Sequence, residues 1–186
     1  MKIYLIRHGQ SQGNKLGKYA KEDVPLTEEG FKSLEALASH PPKGRLFVSP
    51  AKRAIQTAEG IFGQRGTIEK RLLEISYGLF EGLTFQEAQE IYPQEMKNWI
   101  DNPYTGCPPE GESIESLMKR VESLLKNWQD LGTDVIGVTH EGVIRAFMAL
   151  TLGHQDAYFK FYIENASMVT LNYQENFRQI LQINYK

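Results

Sequence analysis

The chain begins with an unbroken apolar run, Ile3-Tyr4-Leu5-Ile6, that ends abruptly in Arg7-His8-Gly9. A short run with β-branched and aromatic residues on both pleat faces predicts a strand covered on both sides, the usual state of a central parallel strand. That restricts the chain to an α/β fold with helices packed on both faces of a sheet. The end of the strand then delivers Arg7 and His8 to the carboxyl edge, where open α/β sheets bind ligands.

The same design occurs twice more. Arg45-Leu46-Phe47-Val48 predicts a strand that breaks at Ser49-Pro50 and passes into a helix from Ala51, with Arg53 in its first turn. Asp134 to Thr139 predicts a third strand, which delivers His140 and, after Glu141-Gly142, an apolar helix from about Val143 to Leu152. Three strand ends thus present Arg7 and His8, Arg53, and His140, and such a set of cationic or potentially cationic groups calls for an anion. Arg53 sharpens this reading. A cation in a first helical turn opposes the helix dipole, and rule-breaking of that kind is expected at functional sites, where a helix N-terminus already favours phosphate.

The segments between fit a three-layer α/β/α sandwich around a mostly parallel sheet. Lys15 to Asp23 reads as a loop crossing the top of the sheet. Thr27 caps a helix with Phe31, Leu34, Leu37 and Ala38 at helical spacing, ending at Pro41-Pro42. A short strand is expected near Thr67-Ile68-Glu69, followed by a glycine-punctuated, aromatic loop from Leu72 to Leu83 that carries Glu74 and Glu81. Thr84 to Pro109 reads as an insertion across the sheet edge, with a capping box at Thr84 to Glu87 and a second helix starting at Pro93. Its Tyr92, Trp99 and Tyr104 are available to line a substrate pocket. Ser113 caps an amphipathic helix whose Leu117, Val121, Leu124, Leu125 and Trp128 form a core stripe. Met168 to Tyr173 and Arg178 to Ile183 predict a hairpin joined through Gln174-Glu175-Asn176. His40 and His154 are expected in solvent.

The 186 residues suit one domain spanning 1–186 that includes the 84–109 insertion. The net charge of -2 gives no reason to expect nucleic acid or an acidic membrane, so any positive site must be local. Cys107 is the only cysteine, the apolar start is too short for a signal peptide, and no run approaches membrane length, so a cytoplasmic protein is expected.

Phosphoryl transfer needs positive groups around the non-bridging oxygens, an in-line nucleophile and a proton for the leaving oxygen. Arginine's planar fork suits the first role, and a histidine kept neutral by neighbouring arginines suits the second. A carboxylic acid in apolar surroundings, Glu74 or Glu81, suits the third. Metal-hydrolase ligand spacings, Walker A loops and dinucleotide glycine loops are absent from the sequence.

Leu5-Ile6-Arg7-His8-Gly9-Gln10-Ser11 with Asn14 resembles the signature of the histidine phosphatase superfamily, the phosphoglycerate mutase-like fold. Pro25 to Gly30, Ser49 to Ala58, Leu73-Glu74-Ile75 with Gly78, and Val138 to Arg145 match it in order. The resemblance implies that His8 becomes a phosphohistidine and that Arg7, Arg53 and His140 bind phosphoryl oxygens, assisted by Asn14. It makes Glu74 the acid that protonates the leaving alcohol and Glu81 a secondary carboxylate. The backbone N–H of Glu141 would point at the phosphate. No metal or organic cofactor is implied. Gln10 and Ser11 replace a commoner glutamate and threonine. Glu141 stands where many members have glycine, so its carboxylate either turns away or rejects strongly anionic substrates.

Mutase and phosphatase share this intermediate. The chain is short for a mutase, and basic residues of the mutase kind are missing around Glu74, which favours hydrolysis of a small phosphorylated metabolite with release of inorganic phosphate. Gly78 to Thr84, Tyr92-Pro93, Trp99, Asp101 to Pro103, Pro109 to Ser113 and Asn165-Ala166-Ser167 are most similar to the α-ribazole phosphatase branch of cobalamin biosynthesis. A cofactor-dependent phosphoglycerate mutase and a broad-specificity sugar phosphate phosphatase are the alternatives. A non-catalytic phospho-ligand module should lack His8 or the acid, and this chain has both.

Overall fold

Alternation along the strands decides the architecture. Ile3 and Leu5 of the first strand, β1 (Lys2–Arg7), join one core cluster, while Ile6 joins another. In β2 (Arg45–Val48), Phe47 belongs to the first cluster and Leu46 and Val48 to the second. Both pleat faces are therefore covered, as expected for buried parallel strands. The computed structural model describes residues 1–19, 21–174 and 177–186.

Four strands, β1, β2, β3 (Thr67–Ile68) and β4 (Val135–Thr139), run parallel, with β4 between β2 and β1. Next to β1 lies β5 (Met168–Gln174), antiparallel to it, and β6 (Phe177–Tyr185) closes the sheet in the order β3-β2-β4-β1-β5-β6. The expected hairpin forms, but Glu175 and Asn176 lie outside the described residues.

The helices follow the crossovers. In chain order they are α1 (Gln12–Leu16), α2 (Glu28–Lys32), α3 (Glu35–Ser39), α4 (Lys52–Phe62), α5 (Phe85–Ile91), α6 (Pro93–Asp101), α7 (Ile114–Asp130) and α8 (Glu141–Leu152). On one face of the sheet, Trp128 of α7 stacks on Phe147 of α8 (centroids 5.4 Å apart) and leans on Phe47. Gly137 of β4 makes room there, since a Cβ would meet the Trp128 ring at 2.9 Å and Leu5 at 3.2 Å. On the other face, Leu34 and Leu37 with Ala54, Ala58 and Ile61 of α4 cover Ile6, Val48, Ile136 and Val138.

Two expectations are corrected. The helix from Thr27 is broken into α2 and α3, and Phe31 is exposed while Leu34 and Leu37 are buried. The break has a local cause: the Ser33 hydroxyl donates to the Gly30 carbonyl (2.7 Å), taking an acceptor from the helical ladder. The helix after β4 begins at Glu141, before the expected Val143, because His140 is extended (φ -126°, ψ 166°) and serves as its N-cap. Among the described residues no helix is long and apolar enough to cross a membrane.

Candidate active site

The register of the sheet sets the site. Arg7 lies opposite Thr139, and Val48 opposite Val138, so β2, β4 and β1 end side by side. The residues just beyond them, Ser49, His140 and His8, are buried in a row. Ser49 Oγ lies 2.8 Å from His140 Nε2, and the rings of His140 and His8 meet edge to face with centroids 5.1 Å apart.

Hydrogen bonds assign the His8 tautomer. Nδ1 is 2.7 Å from the Gly9 carbonyl oxygen, which can only accept, so Nδ1 carries the proton. Arg53 Nε donates to His8 Nε2 at 3.2 Å, so Nε2 offers its lone pair. The backbone that carries the ring is held as well: Asn165 Nδ2 donates to the His8 carbonyl (3.1 Å), and the Gly9 N–H donates to Thr57 Oγ1 (3.1 Å). Burial, first, and then the Arg53 charge hold the His8 pKa well below the usual imidazole value of 6.5, and Arg7 adds to the effect. His140 is pushed down by the same causes, burial before Arg53. Both rings are therefore neutral near pH 7.

The arginines reach the site from two directions. Arg53 projects from the first turn of α4, and its Nη1 donates to the Lys21 carbonyl (2.7 Å). Arg7 extends from β1, where its Nη1 bonds the Ile163 carbonyl and pairs with Glu141 Oε2 at 2.9 Å. The other Glu141 oxygen pairs with Arg145, whose Nε donates to the Phe161 carbonyl (2.8 Å). Glu141 thus does not turn away: its carboxylate spans Arg7 and Arg145 and lines the cavity. Arg7 Nε and His140 Nδ1 are buried with no hydrogen-bond partner among the described residues. Buried donors and acceptors are normally paired, so both atoms are free to bond a ligand.

Glu74 follows the 3-10 turn Lys70–Leu72. Its Oε1 accepts from the Ile75 N–H (3.0 Å) and its Oε2 from the Gly142 N–H (3.3 Å) in the first turn of α8. Burial raises its pKa above the usual carboxylate value of 4.5, against the opposing pull of those hydrogen bonds and of Arg53. Glu81 sits apart in an adjoining hollow of about 80 Å³ with Glu22, Arg53, Glu74 and Ser76, and accepts from the Ser76 hydroxyl (3.3 Å).

Together Arg7, His8, Asn14, Arg53, Glu74 and Glu141 line one cavity of about 170 Å³. Asn14 is fixed by its Oδ1, which accepts from the Ser11 N–H (3.0 Å) and hydroxyl (2.9 Å), leaving its amide hydrogens for the cavity. His140 lies fully buried beneath. Among the described residues no group of three or more His, Cys, Asp or Glu side chains is placed to hold a metal ion.

Three further residues line the cavity, Lys18, Tyr19 and Tyr77. By sequence the first two belong to the loop that crosses the top of the sheet, with nothing to single them out. That loop docks by the Tyr19 N–H to the Leu83 carbonyl (2.9 Å) and the Gly82 N–H to the Tyr19 carbonyl (2.7 Å), a tertiary pairing that no local pattern announces. Tyr77 did carry a signal, an aromatic beside Gly78 in the Glu74 loop. Of the three insertion aromatics expected at a pocket, Trp99 packs on the Tyr19 and Tyr77 rings (6.0 and 6.1 Å). Tyr92 instead packs on Phe80, and Tyr104 bonds Asp156 and packs on Phe159. None of the three lines the cavity itself, and between Trp99 and the cavity stands the Tyr19–Tyr77 pair.

A neutral, buried imidazole beside two arginines and a raised carboxyl at the ends of parallel strands are the groups that phosphoryl transfer calls for. The chain belongs to the histidine phosphatase superfamily (branch 1), whose family model matches residues 3–186. It is 30% identical over 197 residues to phosphoserine phosphatase 1 of Hydrogenobacter thermophilus, covering 99% of this chain and 92% of that protein. The phosphoserine phosphatase of Entamoeba histolytica, solved with phosphoserine, superposes with a TM-score of 0.84 at 27% identity over 98% of this chain and 96% of that one. The α-ribazole phosphatase of Shigella flexneri shares the fold with a TM-score of 0.92 at 21% identity, over 99% and 96%. The enzyme is a phosphatase of the histidine phosphatase type.

Proposed function

We propose that the protein is a single-domain, metal-independent phosphomonoesterase that hydrolyses a small phosphorylated metabolite through a phosphohistidine at His8. The observation that supports this most directly is the unprotonated Nε2 of His8, which accepts from Arg53 while the other ring nitrogen is tied to Gly9. In this reading Arg7, Arg53 and the Asn14 amide hold the non-bridging phosphoryl oxygens. The Ser49 hydroxyl accepts from the Ala51 N–H (3.4 Å) and donates to His140 Nε2, which leaves the imidazole proton on Nδ1 for a phosphoryl oxygen. His8 Nε2 attacks phosphorus, the ester P–O bond breaks, and protonated Glu74 gives its proton to the leaving alcohol. The resulting Glu74 carboxylate then takes a proton from water, whose oxygen displaces His8 and releases inorganic phosphate.

The motif resemblance favours α-ribazole 5′-phosphate as the substrate, and the relative from Hydrogenobacter thermophilus brings O-phosphoserine beside it. Phosphate release from both, from an aryl phosphate and from 3-phosphoglycerate, in the presence of EDTA, tests the reading. The His8→Ala protein should lose at least about three orders of magnitude in kcat/KM. An acid-labile, alkali-stable label should appear on the wild-type chain after rapid quenching. Turnover that survives His8→Ala would exclude the nucleophile, and isomerisation of phosphoglycerate without phosphate release would make the protein a mutase.

A further inference from the structure

Residues 160–167, between the 3-10 turn Gln155–Phe159 and β5, form no helix or strand, yet they bond to Arg7, His8, Asn14 and Arg145. The Ile163 carbonyl accepts from Arg7 Nη1, and the Phe161 carbonyl from Arg145 Nε (2.8 Å). The Ala166 N–H and Asn165 Nδ2 both donate to the His8 carbonyl, each at 3.1 Å. Asn165 Nδ2 also lies 3.4 Å from Asn14 Oδ1. A segment with no ladder of its own keeps such contacts in place only if something else fixes its backbone.

That support comes from the end of β6. Asn184 Oδ1 accepts from the Glu164 N–H (2.9 Å) and lies 3.0 Å from the Ser167 hydroxyl, while its Nδ2 donates to the Tyr162 carbonyl (3.0 Å). One carboxamide thus ties down three residues of the loop. The backbone is bent to aim it. From the pair Thr170 and Gln182 to the pair Met168 and Tyr185, β5 advances two residues and β6 three, a bulge in which Asn184 takes the left-handed conformation (φ 56°). Bulges re-aim side chains and recur beside active sites, and a left-handed residue other than glycine persists only where its surroundings over-determine it. Tyr162, Glu164, Ser167 and Asn184 do not line the cavity, so the carboxamide acts on the site only through the loop. The ion pair of Lys186 with Glu164 beside it is exposed, and such pairs contribute little.

We propose that Asn184 is a positioning residue of the phosphatase: through the 161–167 loop its carboxamide fixes the Arg7 guanidinium and the His8 backbone, and with them the phosphate cradle. This rests on the phosphatase reading and adds to it a residue remote from the cavity.

Asn184→Gly is the test, because glycine adopts φ 56° freely and the substitution removes only the carboxamide. The measurements, made well below the melting temperature, are kcat/KM on matched aryl and alkyl phosphates and the inhibition constant of inorganic phosphate. A full 1 Å misplacement costs on the order of 10²-fold, so a loosened brace should lower kcat/KM on the aryl ester by about ten-fold. The phosphate inhibition constant should rise with it. The alkyl-to-aryl ratio, which reports the Glu74 acid, should stay within about two-fold. An inhibition constant equal to wild type overturns the proposal and leaves Asn184 a turn residue. A ratio that moves as well overturns it in favour of a general loosening of the fold. Should the glycine variant fail to fold, Asn184→Asp, which keeps the acceptor and loses the donor to Tyr162, carries the same comparison: a raised inhibition constant supports the brace and an unchanged one overturns it. If no ester shows His8-dependent turnover, the phosphatase reading fails, and calorimetric binding of inorganic phosphate decides the brace alone. Weaker binding to Asn184→Gly than to wild type supports it, and equal binding overturns it.

Discussion

Gly142→Ala should act chiefly as a lever on Glu74. A Cβ at position 142 would stand 2.5 Å from Glu74 Oε1 and 2.9 Å from the Tyr158 hydroxyl. To reach ordinary van der Waals separation the carboxyl must retreat by roughly 0.5–1 Å, which also strains its 3.3 Å hydrogen bond from the Gly142 N–H. Misplacing a catalytic group by about 1 Å costs on the order of 10²-fold, and general acid catalysis contributes typically ~10²–10⁴-fold. Turnover of alkyl phosphates, which cannot leave unprotonated, should therefore fall about 10- to 100-fold. Aryl phosphates, whose phenolate leaves without help, should stay within about three-fold. Stability should change little, because in this first turn Ala improves helix propensity by less than the roughly 1 kcal/mol of an interior position, and the clash opposes it. The assay is kcat/KM on matched alkyl and aryl phosphates. Glu74→Gln should show the same selectivity, and Gly142→Ala added to it should cost little more, since both act on one group. Equal losses on both ester classes would mean that the added methyl group disturbs the phosphate cradle and that Glu74 is not the acid.

Other perturbations test other groups. Because His8 and His140 sit below 6.5 in the native state, the unfolded chain takes up protons first, and their contribution to stability is lost as pH falls through 6.5. Glu74 has the opposite sign, its native pKa lying above 4.5, so its contribution is lost as pH rises through that value. Thermal denaturation against pH should show the histidine slope, and replacing both rings with asparagine should flatten it. The kcat/KM profile should rise below pH 6.5 with deprotonation of His8 and fall at higher pH as Glu74 ionises; a high-pH limb that survives Glu74→Gln would assign it elsewhere. Glu141→Gln unmasks Arg7 and Arg145, so the kcat/KM ratio of 3-phosphoglycerate to an uncharged-alcohol ester should rise about ten-fold at low salt and shrink as salt is added. A ratio that stays constant would leave Glu141 a purely structural brace. Trp128 is almost fully buried and its Nε1–H has no hydrogen-bond partner among the described residues, so Trp128→Ala should cost about 3–5 kcal/mol in urea denaturation, whereas Trp128→Phe, which removes that donor, should cost under about 1.5 kcal/mol.

How much of this was legible in the sequence depends on the range of the physics involved. Strand ends such as Ile6-Arg7-His8 and Val138-Thr139-His140 could be read because a buried parallel strand needs a continuous apolar run, and its end is marked by the first residues that cannot be buried. Capping at Thr84 and Ser113 was equally readable, since the side chain that caps lies within three residues of the N–H it satisfies. The break between α2 and α3 was hidden because a Leu34 and Leu37 stripe survives it, and the Ser33 hydroxyl that causes it looks like any helix serine.

The chemistry divides in the same way. His8 and His140 are far apart in the chain, yet the order β2-β4-β1 and the register of Arg7 on Thr139 put them at adjacent strand ends, which the repeated strand-then-cation pattern already implied. What the pattern could not supply was the wall of the site. Lys18, Tyr19 and Tyr77 reach the cavity through loop-on-loop pairing and ring packing, interactions with no period and no fixed spacing. The cluster of Arg7, His8, Arg53 and His140 is built by the sheet and can be read from strand endings, while Lys18, Tyr19 and Tyr77 are brought to the cavity by loops and can be read only in three dimensions. That division follows from what each part must do, because phosphate presents the same oxygens in every substrate and the alcohol differs in each.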